Sequence, residues 1–118
     1  MPTIKLNSYH TGGDPLTFTF AGDIELAEAP IIKEEIKNKI SDLTPGTDVH
    51  FYLQNLTSID SSGLGLLFFF HKHLQIKGST LVLKNVPAPV LSVLELGNMD
   101  KVFSIETAKR FHTELIPG

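Results

Sequence analysis

A chain of 118 residues, 42% of them apolar and none of them cysteine, can bury roughly two-thirds of its surface around one core without covalent staples. One domain is expected over residues 1–118, and disulfide scaffolds and thiolate metal sites are excluded. Ten Lys and Arg against 13 Asp and Glu leave a formal charge of −3, the wrong sign for a chain that tracks a phosphate backbone, so no nucleic-acid partner is expected.

The opening residues 1–6 alternate in polarity and lack the apolar run of a secretory signal, which points to a cytoplasmic protein. Ile4 and Leu6 alternate with Lys5 and Asn7, and Leu16, Phe18 and Phe20 alternate with Thr17 and Thr19. That period of two predicts two half-buried strands. Gly12, Gly13 and Pro15 make a turn between them, so an N-terminal antiparallel hairpin is expected. Over residues 27–43 the period changes. Ile32, Ile36 and Ile40 recur every fourth residue among Lys33, Glu34, Lys37 and Asn38, which predicts an amphipathic helix with Pro30 tolerated in its first turn.

Val49, Phe51 and Leu53 alternate with His50, Tyr52 and Gln54 and predict a strand, followed by a loop over 55–60. A helix is expected over 62–76, closed by Gly78. Its stretch Gly63 to Phe70 is the longest apolar run free of charge and histidine, far short of the ~20 residues that cross a bilayer, so no membrane insertion is expected. A strand over 80–84, a helix opened by Pro87 and Pro89 and stopped at Gly97-Asn98, a short strand over 102–105 and a final helix over 106–115 complete the reading. Strands alternating with helices call for parallel pairing through right-handed crossovers. The polar alternate face of the strand at Val49 argues for helices mainly on one face, a two-layer α/β domain.

Chemistry concentrates in Leu56-Thr57-Ser58-Ile59-Asp60-Ser61-Ser62-Gly63-Leu64-Gly65, where a strand hands over to a helix at the carboxyl edge of the sheet. Asp60, Ser61 and Ser62 are all good helix caps. The segment lacks what enzymes put at such an edge. Neither Ser61 nor Ser62 has the preceding glycine of a Gly-x-Ser-x-Gly elbow, and Gly63-Leu64-Gly65 runs on into leucines without the lysine of a phosphate-binding loop. His71 and His73 lie two apart, pointing about 200° from each other on a helix, too divergent for a shared metal. His10, His50 and His112 have no near partner in sequence and read as surface or satisfied histidines. No catalytic residue, cofactor or metal is expected.

The segments 21–30, Ile59-Asp60-Ser61-Ser62-Gly63-Leu64-Gly65, and 94–103 taken together resemble the STAS domains, and among them the free-standing anti-sigma factor antagonists. The resemblance implies a STAS-type fold and a protein that is a substrate, with no catalysis of its own. In that family the hydroxyl residue after the aspartate is phosphorylated by a serine kinase that is also the anti-sigma factor. A serine phosphatase reverses the modification. Carried over, the phosphorylated residue is Ser61, with Ser62 the neighbouring alternative, and the switch and partner-binding residues are Asp60, Ser61, Ser62, Gly63, Leu64 and Phe69. The unmodified form binds the kinase and frees the sigma factor; phosphate releases the kinase. A charge on Ser61 would meet the N–H groups and dipole of a helix N-terminus, so the fold is expected to tolerate it.

Two departures stand out. Asn98 takes a position after the third helix where the family often has glycine, and Phe68-Phe69-Phe70 replaces the usual smaller or polar residues. Phe69 falls nearly opposite the core positions Leu67, Phe70 and Leu74. It is either buried by a flanking neighbour or part of a docking or self-association patch, the latter allowing a homodimer. The rival to the switch is a structural STAS subunit of a transport or lipid-handling complex, without a phosphorylation cycle. A small-molecule sensor is a further family role for which no pocket signature is present.

Overall fold

The computed structural model describes residues 15–24 and 28–107. Its elements are β1 (Leu16–Ile24), α1 (Ala29–Lys39), β2 (Val49–Ile59), α2 (Ser61–Ile76), β3 (Leu81–Val86), α3 (Ala88–Leu96), a 3-10 turn (Met99–Lys101) and β4 (Ser104–Thr107). The strands lie in the order β1-β2-β3-β4, and every pairing is parallel. Because each new strand is added on the same side of the last, right-handed crossovers carry the connecting helices over one face only. Burial agrees with the expected two-layer arrangement. Phe18, Phe20, Phe51, Leu53 and Leu83 on the sheet are fully buried together with Ile36, Leu67, Phe70 and Leu74 from α1 and α2.

Phe51 sits at the centre of this core. Register places it between Phe18 on β1 and Leu83 on β3. Its ring lies 5.7 Å from Phe18, 4.9 Å from Phe20 and 5.9 Å from Phe70 of the helix layer, edge-on or tilted in each case, the arrangement that ring quadrupoles favour. On the opposite face Thr17, Thr19, His50, Tyr52, Val82 and Lys84 are half-buried among the described residues. There the Lys84 Nζ donates to Glu106 Oε1 at 2.7 Å. Where a surface or satisfied histidine is expected, His50 is half-buried and its Nδ1 is shut away from solvent without a hydrogen bond among the described residues. Burial, ahead of the nearby Lys84 charge, holds its pKa below the ordinary histidine value.

The expected loop over 55–60 is wrong, for β2 continues to Ile59. Its pairing with β1 slips twice, between Thr19 and Ala21 and between Gly22 and Asp23, and each slip inserts one extra β2 residue. Such bulges break the alternation of faces, so the buried positions run Val49, Phe51, Leu53, Leu56, Ile59 and imitate a loop. Gly22 meets the second slip with φ +84°, backbone that a side chain disfavours.

Helix ends moved as well. α1 covers less than the predicted 27–43, while α2 begins one residue earlier than predicted. α2 closes on a Schellman turn: Gly78 (φ +79°) donates to the Gln75 carbonyl at 3.1 Å and Ser79 to the Leu74 carbonyl at 2.8 Å. After α3, Asn98 adopts the left-handed conformation at φ +57° and donates to the Glu95 carbonyl at 3.0 Å. Asparagine therefore does the work of the missing glycine. Glu106 and Thr107 end β4 instead of opening a helix. The rest of that predicted helix, His112, the first strand of the hairpin with its turn, and His10 fall outside the described residues.

Candidate functional site

Ile24 pairs with Ile59 at the carboxyl ends of β1 and the bulged β2, and the residue after Ile59, Asp60, turns the chain into α2. Asp60 is extended (φ −109°, ψ −170°), and its Oδ1 accepts the N–H groups of Ser62 at 2.9 Å and Gly63 at 3.1 Å. Its carbonyl accepts the first helical bond from Leu64 at 3.0 Å. Among the three candidate caps, then, Asp60 is the one used, and Ser61 becomes the first residue of the helix. Two of the donors expected to be open to a phosphate are already committed to this carboxylate.

Asp60→Ala is expected to lower the free energy of unfolding by about 1 kcal/mol, whereas Asp60→Asn, which caps as well, should retain most of it. Urea denaturation measures both. Equal stability of Asp60→Ala and wild type would remove the cap from the account.

The candidate residues separate by exposure. Asp60 and Ser61 are exposed, Ser62 is half-buried, Gly63 is buried, and Leu64 is half-buried against the core. A hydroxyl on the first turn of a long helix, at the rim of a sheet, is open to a macromolecular catalyst. Gly63 and Leu64 instead hold that turn in place.

Phe69 stands between the two expectations for it. It is half-buried, with its ring edge-on to Phe70 at 5.0 Å, stacked on His73 at 5.3 Å, and lying 3.9 Å below the Lys33 ammonium of α1. It also lines an open cavity of about 260 Å³ with Ser62, Gly65, Ala29, Pro30 and Lys33. Ser62 and Phe69 therefore share one surface. Sequence reasoning noted Lys33, Gly65 and Phe68 without placing them at a site, and it did not mention Lys72; the signal for this surface was a glycine within a helix.

His71 and His73 are engaged separately, His71 edge-on to Phe103 at 5.4 Å and His73 on Phe69. Burial, then the charges of Lys77 and Lys37, lower the His73 pKa. Among the described residues no group of three or more His, Cys, Asp or Glu is placed to hold a metal ion, and no helix is long and apolar enough to cross a membrane.

The family model of the STAS domain matches residues 5–113. The anti-sigma-B factor antagonist of Bacillus subtilis (strain 168) is 24% identical over 85 residues, which is 72% of this chain and 75% of that protein. The crystal structure of an anti-sigma factor antagonist from Mycobacterium paratuberculosis superposes with a TM-score of 0.70 and 20% identity, over 87% of this chain and 85% of that one. The anti-sigma factor antagonist SpoIIAA in its unphosphorylated form gives a TM-score of 0.72 at 16% identity, over 92% of each chain. At such identities the structural likeness is one of fold.

Proposed function

The chain belongs to the STAS domain family, and on that premise we propose that it is an anti-sigma factor antagonist whose binding to a serine kinase is controlled at Ser61. The observation that carries the proposal is the exposure of Ser61 on the first turn of α2, directly after the aspartate that caps it. Unmodified, the edge formed by Asp60, Ser61 and Ser62 docks the kinase, which is thereby withheld from its sigma factor. Transfer of phosphate to the Ser61 hydroxyl places about −1.5 to −2 charges in that contact, and a desolvated like or unpaired charge is what an interface tolerates least. A serine phosphatase resets the edge. The chain acts throughout as a substrate and binding partner.

Incubation with the kinase and ATP, followed by peptide mass spectrometry, tests this reading. Phosphate is expected on Ser61, and Ser61→Ala is expected to remain unmodified while still binding the kinase. Phosphate confined to Ser62 would move the switch by one residue. An unmodified protein held permanently in a complex would favour the structural-subunit role instead.

A further inference from the structure

Gly65 is an exposed residue in the second turn of α2, a position where glycine is a poorer helix former than any residue except proline. Nothing stands within 4 Å of where its Cβ would be, so packing does not require it. What glycine leaves there is a clear floor. Gly65, Lys33 and Phe69 line both the cavity of about 260 Å³ beside Ser62 and a second of about 490 Å³ that reaches Phe68, Lys72 and Ile76. The two adjoin at these three residues, so that together they form a shallow trough along α2 beside Lys33 of α1. From Ser62 to Ile76 its length along the helix is about 20 Å, some four helical turns.

The walls are apolar and open: Phe68 is 39% and Ile76 84% exposed. The rim is cationic. Lys33 and Lys72 line the trough, and among the described residues no Asp or Glu does, although the chain as a whole is acidic. Lys37 and Lys77 lie near enough to depress His73, and Lys37 is shared with Glu34 at 3.6 Å.

We propose that this trough seats an acidic amphipathic helix of the partner protein, with apolar residues on Phe68, Phe69 and Ile76 and carboxylates facing Lys33 and Lys72. The occupant follows from shape and charge. A concave channel of helical length suits the apolar stripe of a helix better than the plane of a bilayer. An isologous second copy would set these lysines against each other, which costs affinity. The inference rests on the reading of this edge as partner-binding, but not on modification of Ser61.

The probe is a fluorescein-labelled peptide of about 14 residues, with leucine at helical spacing i, i+3, i+4, i+7 and i+11, glutamate flanking that stripe and alanine elsewhere. A second peptide has lysine for every glutamate. In anisotropy titrations at low salt the acidic peptide is expected to bind the wild type at least tenfold more tightly than the basic one. Gly65→Leu, which puts a side chain on the floor at a position where a Cβ meets nothing within 4 Å, and the double change Lys33→Glu with Lys72→Glu are each expected to weaken it at least tenfold, with circular dichroism unchanged. Equal binding of the two peptides, no saturable binding of the acidic one, or an affinity within twofold in Gly65→Leu would overturn the proposal. So would binding of phosphatidylcholine vesicles containing one-fifth phosphatidylglycerol in place of the acidic peptide. Absence of phosphate on Ser61 in the kinase assay leaves these readings untouched, so the two failures can be told apart.

Discussion

Ser61→Asp is expected to weaken kinase binding by about 30-fold to several thousand-fold while leaving the melting temperature within a few degrees of wild type. The first half follows from the cost of a charge left unpaired in a desolvated contact, about 2–5 kcal/mol, converted at 1.4 kcal/mol per factor of ten. The second half follows from two small terms of opposite sign. An added negative charge at the first residue of α2 gains about 0.3–1 kcal/mol from the helix dipole. It also stands beside the Asp60 carboxylate, which already occupies the Ser62 and Gly63 N–H groups. Repulsion between exposed like charges at a few ångströms in water is about 1 kcal/mol, and the terms cancel. Isothermal titration calorimetry with the kinase and a thermal melt are sufficient, with Ser61→Ala as the uncharged control. Wild-type affinity in Ser61→Asp would refute the switch. A melting temperature lowered by ten degrees or more, about 1–3 kcal/mol for a domain of this size, would show that the charge acts on the fold instead.

Phe51→Ala is expected to remove about 3–5 kcal/mol of stability, the largest effect of any single truncation proposed here. Phe51 has no exposed surface, and its ring contacts Phe18 and Phe20 on the neighbouring strand and Phe70 across the layer. Truncation leaves a void walled by three rings that the sheet register holds in place, and rigid walls collapse poorly. Against a total of about 5–15 kcal/mol for an ordinary domain, about a fifth or more of the stability would be lost. Urea denaturation should show the midpoint shifted with the slope retained. A loss under about 1 kcal/mol would mean that the site repacks and that Phe51 is not the keystone its position implies.

These two residues differ in how they could be read. Phe51 was legible as a strand position facing a core, because Val49, Phe51 and Leu53 alternate with polar neighbours and the pleat demands it. Its place at the centre of the sheet came only with the register that sets Phe18 and Leu83 on either side. Ser61 was legible through its neighbours, an aspartate and a second serine at a strand-to-helix junction. Which of the three would cap was not, since all can accept the same N–H groups. The turn geometry decided for Asp60 and so left Ser61 exposed.

The stretch from Asn55 to Ile59 was misread for a physical reason. A bulge adds a residue to one strand only, and the resulting three-residue spacing of Leu53, Leu56 and Ile59 matches neither a strand nor a helix. β1 supplies the slips that explain it, and nothing within β2 reports them.

Local order was thus settled by the chain itself: which segments alternate, where Gly78 and Asn98 must turn left-handed, and that a hydroxyl follows an acidic residue at the head of α2. Those are properties of consecutive residues, governed by pleat, helical period and cap chemistry. The tertiary structure decided what depends on two elements meeting. It brought Lys33 of α1 over Phe69 of α2, opened the trough across Gly65, and slipped β2 past β1, because the distance between such residues is set by the packing of whole helices and strands and is written in neither one alone.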